Sequence, residues 1–149
     1  MSRKQTKQER IEELEKQLAQ LEARLARARA QELVAGARQV AGVPVLAARL
    51  DGLDPDGLRS VVDLIRERLG AGVICLGSVV DGKVNLVASV SKDLTPRLHA
   101  GKLVQEMARL VGGGGGGRPD LAQAGGKNPE QLDAALAEVA PWVERHSRA

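Results

Sequence analysis

The sequence predicts an α/β fold: a compact domain with a mixed β-sheet flanked by helices, preceded by a long, coiled-coil-like N-terminal helix. Three observations carry that expectation. The apolar period changes at Gly42, from steps of three and four to short apolar runs. Two valine-rich runs, Val73 to Val80 and Lys83 to Val90, flank Asp81-Gly82, a two-residue turn signal. Segments with helical spacing and helix-start residues lie between and after these runs.

Each element follows from local chemistry. Ile11, Leu14, Leu18, Leu21, Leu25 and Ala28 form an a/d heptad seam, and no Gly or Pro interrupts the chain before Gly36. This predicts a helix from about Thr6 to Ala35. Its stripe needs another surface to bury it. A second helix would give modest self-association; the alternative is packing on the chain's own globular domain. Residues 1–41 are read as this helical segment and 42–149 as the globular domain. Val43 to Leu50 reads as a strand, with Pro44 tolerable only at its start or on an edge. Asp54 and Pro55 mark the cap and first residue of a helix ended by Gly70. A further helix is expected over Pro96 to Leu110, burying Leu98, Leu103, Met107 and Leu110. Asn128-Pro129 opens the last helix, lined by Leu132, Ala135, Leu136 and Val139, and Pro141 should end or kink it. Leu121 to Ala124 fits a short edge strand.

Composition narrows the function. The chain of 149 residues has no Phe or Tyr and one Trp, so its core must come from Val, Leu, Ile and Ala, and aromatic platforms for single-stranded nucleic acid are absent. A net charge of +3 permits an RNA partner without demanding one. Cys75 lies in an apolar run and reads as a buried thiol, with a reactive thiol as the alternative. One free cysteine fits a reducing, cytoplasmic setting. No stretch supplies the ~20 apolar residues of a membrane span, and the polar N-terminus is no secretory signal. His99 and His146 have no partners at metal-ligand spacing. Asp51, Asp54, Asp56 and Asp63 are explained by capping and solvation. No catalytic or metal residue is therefore assigned.

The run from Val111 to Gly126, VGGGGGGRPDLAQAGG, stands apart. Glycine loses more conformational freedom on folding than any other residue. Six in succession fit backbone that takes positive φ or passes close to another backbone or a ligand; a merely flexible loop is the alternative. Arg118 sets a permanent charge and a fork of donors beside that backbone, a combination suited to phosphate. Pairing with Asp120 or Asp93 would instead pin the loop.

Around this run the sequence resembles the C-terminal, DHH-associated domain of alanyl-tRNA synthetases, a module also found in DHH-type phosphoesterases. The resemblance covers Leu33 to Trp142 and is most specific at VSKDLT (Val90 to Thr95) and GGGRPDLAQAGG (Gly115 to Gly126). Phosphoesterase versions typically have a histidine where this chain has Arg118, which favours the synthetase branch. The synthetase pattern usually has Lys or Arg where this chain has Gly114. The resemblance implies a module that binds the outer corner of tRNA, with alanine tRNA and the other domains of the parent synthetase as partners. It also implies a helical linker that helps dimerisation, here through Ile11, Leu14, Leu18, Leu21 and Leu25. The chain looks like a piece of a longer protein or a freestanding copy of that piece. ATP, Mg and Zn are implied only for the parent enzyme, and no cofactor for this chain, which is expected to be non-catalytic. The expected nucleic-acid contacts are Lys92, Arg97, Lys102, Gly115, Gly116, Gly117, Arg118 and Lys127. The alternatives are a substrate-binding domain of a DHH-type phosphoesterase and a non-catalytic dimerisation module. Trp142 reads as a core or interface anchor, with base stacking as the lesser alternative.

Overall fold

The computed structural model describes residues 4–147. In chain order it contains α1 (Lys7–Ala35), β1 (Arg38–Val40), β2 (Val43–Arg49), α2 (Pro55–Leu69), β3 (Val73–Val80), β4 (Lys83–Val90), α3 (Ala100–Leu110), β5 (Gly114–Gly117), β6 (Leu121–Gly126), α4 (Leu132–Ala137) and α5 (Val139–Ser147). The six strands form one sheet in the order β1-β2-β3-β4-β6-β5. Only β2 and β3 are parallel, and α2 makes the crossover between them. Every other neighbouring pair is antiparallel, so the sheet is mixed, as the sequence predicts.

The central strands are apolar on both faces because helices cover both. On one face Leu46, Ile74, Leu76 and Val87 meet Leu58, Val61, Val62 and Ile65 of α2, and Ala30 of α1 joins them. On the other, Val45, Val73, Cys75, Leu86 and Ala88 meet Leu103, Val104 and Met107 of α3 and Leu132, Ala135 and Trp142 of α4 and α5. The alternation along β3, Val73 and Cys75 to one side and Ile74 and Leu76 to the other, is the period-2 geometry of a strand.

Local signals set most boundaries. Thr6 caps α1, accepting from the Glu9 N–H at 3.1 Å. Asp54 caps α2, accepting from the Gly57 N–H at 2.8 Å, and Gly70 ends it at φ 75°. Asp81 and Gly82, at φ 51° and 75°, make the β3–β4 turn. Ala41 and Gly42 adopt nearly the same pair of angles and join β1 to β2, placing Pro44 at the second position of β2. Ala-Gly is a weaker turn signal than Asp-Gly, which is why the sequence reading carries no strand before Gly42.

Four expectations need correction. The helix expected from Pro96 begins at Ala100; Lys92–Leu94 forms a 3-10 turn instead, and His99 is the cap. Leu98 is buried just ahead of that helix, whereas Leu110 is 44% exposed. The last helix is split: Pro129–Gln131 is a 3-10 turn, Asn128 makes no side-chain cap bond, and the break falls at Glu138, with Pro141 inside the first turn of α5. Proline is tolerated there because the first-turn N–H groups have no intrahelical partner. The glycine run is not a loop: it supplies β5, the sheet edge, so β6 is an inner strand.

Candidate nucleic-acid interface

The six-glycine run divides into a helix cap and a strand. Gly112, at φ 71°, and Gly113 close α3: the Gly112 N–H bonds the Arg109 carbonyl at 3.3 Å and the Gly113 N–H bonds the Ala108 carbonyl at 2.8 Å. This is the paired Schellman arrangement that satisfies the last carbonyls of a helix. Gly114 to Gly117 then pair with Gly125 to Ala122 of β6. Within this stretch the need for glycine alternates. A Cβ on Gly115 would stand 2.4 Å from the Ala124 Cβ, and one on Gly117 would stand 2.8 Å from the Ala122 Cα. A Cβ on Gly114 would meet nothing within 4 Å, and one on Gly116 would meet only the Gln105 amide, at 3.1 Å. Gly115 and Gly117 thus let β5 lie close against β6, while Gly114 and Gly116 have no such backbone constraint.

The turn Arg118-Pro119-Asp120 joins β5 to β6 and is fixed by three backbone hydrogen bonds. Arg118 N–H donates to the Leu121 carbonyl (3.0 Å), Ala100 N–H to the Pro119 carbonyl (2.7 Å) and Val90 N–H to the Asp120 carbonyl (2.9 Å). The turn is therefore anchored to its own hairpin, to the start of α3 and to the end of β4. Its arginine is not held in the same way. The Arg118 side chain is 70% exposed, and its Nε lies 3.7 Å from Asp120 Oδ1, too far for a hydrogen bond. The ion pair is with Asp120 rather than Asp93. A charge held this loosely keeps its donors open to solvent, on a rigid base.

The fold brings Lys92, Arg97 and Lys102 to the same end of the sheet. Lys92 opens the 3-10 turn after β4, Arg97 precedes the start of α3 and Lys102 stands in its first turn; all three are exposed. Gly117 adjoins this end, with Gly115 and Gly116 leading to it along β5. Lys127 does not belong to the group. It follows β6 at its far end, where its N–H bonds the Val111 carbonyl. Six extended residues at about 3.3 Å each separate it from the Arg118 turn by roughly 20 Å. A loop would have allowed the two ends to converge; a paired strand holds them apart.

Other candidates are absorbed by the structure. Trp142 is 1% exposed and stacks on His146 at a centroid distance of 4.2 Å, so its ring anchors α5 and offers no free face to a base. Cys75 is buried, and desolvation pushes its thiol up to about 12; an inert structural thiol results. Asp51 accepts from Arg49 Nε at 2.8 Å and from the Val79 N–H at 3.1 Å, and the guanidinium bond holds its carboxyl below the usual range. Arg49 also reaches Asp133, at 3.2 Å, tying β2 to α4. Among the described residues no group of three His, Cys, Asp or Glu could hold a metal ion, and no helix is long and apolar enough to cross a membrane. His99 caps α3, its Nδ1 accepting from the Lys102 N–H at 3.2 Å; the sequence does not announce this, since histidine is not among the usual caps.

The heptad seam is open in the single chain. Ile11, Leu14, Leu18, Leu21 and Leu25 are 46–59% exposed. The helix does pack on its own domain, but through Ala26, Ala30, Leu33 and Val34. At about 100° per residue this is a different face from the seam. A cleft of about 960 Å³ runs between α1 and α2, and of the five seam residues only Leu25 lines it.

Comparison with known proteins agrees with this architecture. Residues 42–145 match the DHHA1 domain. The chain is 50% identical over 138 residues to an alanine–tRNA ligase of Ralstonia nicotianae, covering 93% of this chain and 16% of that protein. It is 53% identical over 135 residues to the alanine–tRNA ligase of Pelotomaculum thermopropionicum, covering 90% of this chain and 15% of that one. The chain thus spans about one sixth of the length of these relatives. Among solved structures, the C-Ala domain from Aquifex aeolicus alanyl-tRNA synthetase matches with a TM-score of 0.66 and 29% identity, covering 72% of this chain and 97% of that one.

Proposed function

The chain belongs to the DHHA1 domain family and matches the C-terminal domain of alanyl-tRNA synthetase, and from that premise we propose that it binds tRNA through the Arg118 end of its sheet. The parent activity would be the joining of alanine to its tRNA in the cytoplasm. ATP, Mg and Zn would serve other domains of the parent, and this module needs no cofactor of its own. Its contribution is effective concentration: one weak hold on the tRNA makes the next encounter intramolecular.

The observation that carries this reading is an exposed arginine on a turn fixed by three backbone hydrogen bonds. Lys92, Arg97 and Lys102 around it extend the positive field. Such a face recognises phosphate and helix shape rather than base edges. Gly117 lets the turn sit close on β6, and Gly115 and Gly116 present backbone along the edge. The test is binding of folded tRNA to this chain at several salt concentrations. The affinity should fall with salt by a slope of roughly 0.7–0.9 per phosphate contacted. Arg118→Ala should weaken binding by about 1–3 kcal/mol, the loss of a charge-assisted contact. A folded variant with unchanged affinity would remove Arg118 from the interface.

A second surface accompanies the first. Five large apolar side chains, Ile11 to Leu25, lie exposed at heptad spacing, which favours a homodimer through α1. Tethering and dimerisation use opposite parts of the chain and are compatible.

A further inference from the structure

We propose that His99 is an RNA-contacting residue whose imidazole is held by the fold as a one-directional donor, its Nε2–H aimed at an oxygen of the bound ribose–phosphate backbone. The inference rests on the tRNA-binding reading above and extends it to a side chain outside the arginine and lysine set.

The argument begins with the cap. His99 has extended backbone angles, φ −120° and ψ 116°, and its Nδ1 accepts the Lys102 N–H at 3.2 Å. An imidazole nitrogen that accepts from an amide cannot carry a proton itself. In the neutral ring the proton must then sit on Nε2, because one nitrogen donates and the other accepts. The cap thus fixes both the tautomer and the ring direction, a role usually filled by a carboxylate or carbonyl accepting from the ring.

The ring is also placed. Gly101 has no side chain where two groups converge: a Cβ there would stand 2.8 Å from His99 Cε1 and 2.8 Å from the Gly117 carbonyl oxygen. The imidazole edge therefore lies beside the end of β5, where the chain enters the Arg118 turn. The adjoining Ala100 N–H bonds Pro119 in that same turn. Among the described residues Nε2 has no hydrogen-bond partner, and the ring is half-buried rather than sealed. A directed N–H with no protein acceptor, beside the turn that carries Arg118, is built to meet an oxygen supplied from outside. Arg118 contributes charge and Lys102 adds to it; His99 contributes a neutral, oriented donor. Phosphate and 2′-hydroxyl oxygens both accept such a bond, and both line an RNA backbone.

The test compares the whole chain with His99→Asn. Asparagine is a preferred N-cap, so the helix start is kept while the ring donor is removed. The expected result is an unchanged thermal midpoint and tRNA binding weaker by about 5- to 10-fold, the loss of one hydrogen bond. The nitrogen NMR spectrum of the wild-type imidazole should show an unprotonated Nδ1 and a protonated Nε2 near pH 8, with the Nε2–H signal moving when tRNA is added. If H99N is poorly folded, His99→Ser, another capping residue, carries the same comparison. Unchanged affinity in the folded variant, or a proton on Nδ1 in the free protein, overturns the assignment of His99 while leaving the tRNA reading in place. Absence of tRNA binding by the wild-type chain at low salt overturns both.

Discussion

The alternation of constrained and open glycines makes opposite forecasts for neighbouring residues. At Gly115, a Cβ would come 2.4 Å from the Ala124 Cβ and 2.5 Å from both the Ala124 Cα and the Gln123 carbonyl oxygen. Two of those atoms are backbone of the paired strand, so no rotamer change relieves the contact. Ordinary separations between carbon atoms are about 3.5–4.0 Å, so β5 must move off β6 by more than 1 Å, about a quarter of the strand spacing. Gly115→Ala should therefore cost about 1–3 kcal/mol, the range for overpacking a closed site. At Gly114, nothing lies within 4 Å of the Cβ position, and its φ is not left-handed. Gly114→Ala should be neutral or stabilise by about 0.4–1 kcal/mol, because alanine narrows the unfolded ensemble. Urea titration of the two single variants reads this difference directly, with unchanged slopes reporting an unchanged unfolding transition. Equal midpoints for the two variants, or a lower midpoint for Gly114→Ala, would refute the pairing of β5 with β6. The run would then be a loop.

Further outcomes follow from other parts of the structure. Gly114→Lys should fold normally and tighten tRNA binding at low salt, a gain measured by titration at two ionic strengths. Burial pushes the folded Cys75 thiol up from its ordinary 9.0 to about 12; a group whose pKa is raised on folding stabilises below the unfolded value and loses that contribution as pH rises. Stability should accordingly fall between about pH 9 and 12, by at most ~1.4 kcal/mol per unit from this group. Cys75→Ala should flatten that slope in urea titrations at stepped pH. Leu18→Glu, on the 57%-exposed seam, should abolish concentration-dependent self-association in sedimentation while leaving the globular domain's unfolding midpoint in place. A wild-type chain that stays monomeric at high concentration would remove α1 as a dimer surface.

Elements specified by neighbours in sequence were legible without the structure. Asp54-Pro55 and Gly70 bracket α2, and Asp81-Gly82 sets a hairpin whose two strands begin and end where the valine runs do. The setting of Arg118 beside closely approaching backbone was also readable, but the sequence left open whether it pairs with Asp120 or Asp93, and the structure puts it 3.7 Å from Asp120. The capping role of His99 was not: its meaning comes from the Lys102 amide and the bare Cα of Gly101, and only the completed start of α3 puts the ring beside Gly117.

The amino-acid sequence alone therefore determined the α/β class, the caps and turns of the central elements, the apolar face of α2 and the span of the β3–β4 hairpin. These rest on interactions across a few residues, where spacing and side-chain chemistry suffice. Tertiary structure alone decided that six glycines become a Schellman cap and an edge strand, that Leu110 faces outward, and that Lys127 stands at the far end of β6 from Arg118. It also decided that the α1 seam is left open while a different face of the helix packs on α2. The physical reason is common to these cases. A glycine strand has no side-chain pattern to announce it and exists only because β6 offers hydrogen bonds and room for close approach, and a helix with two apolar faces chooses between them only when a partner surface is present.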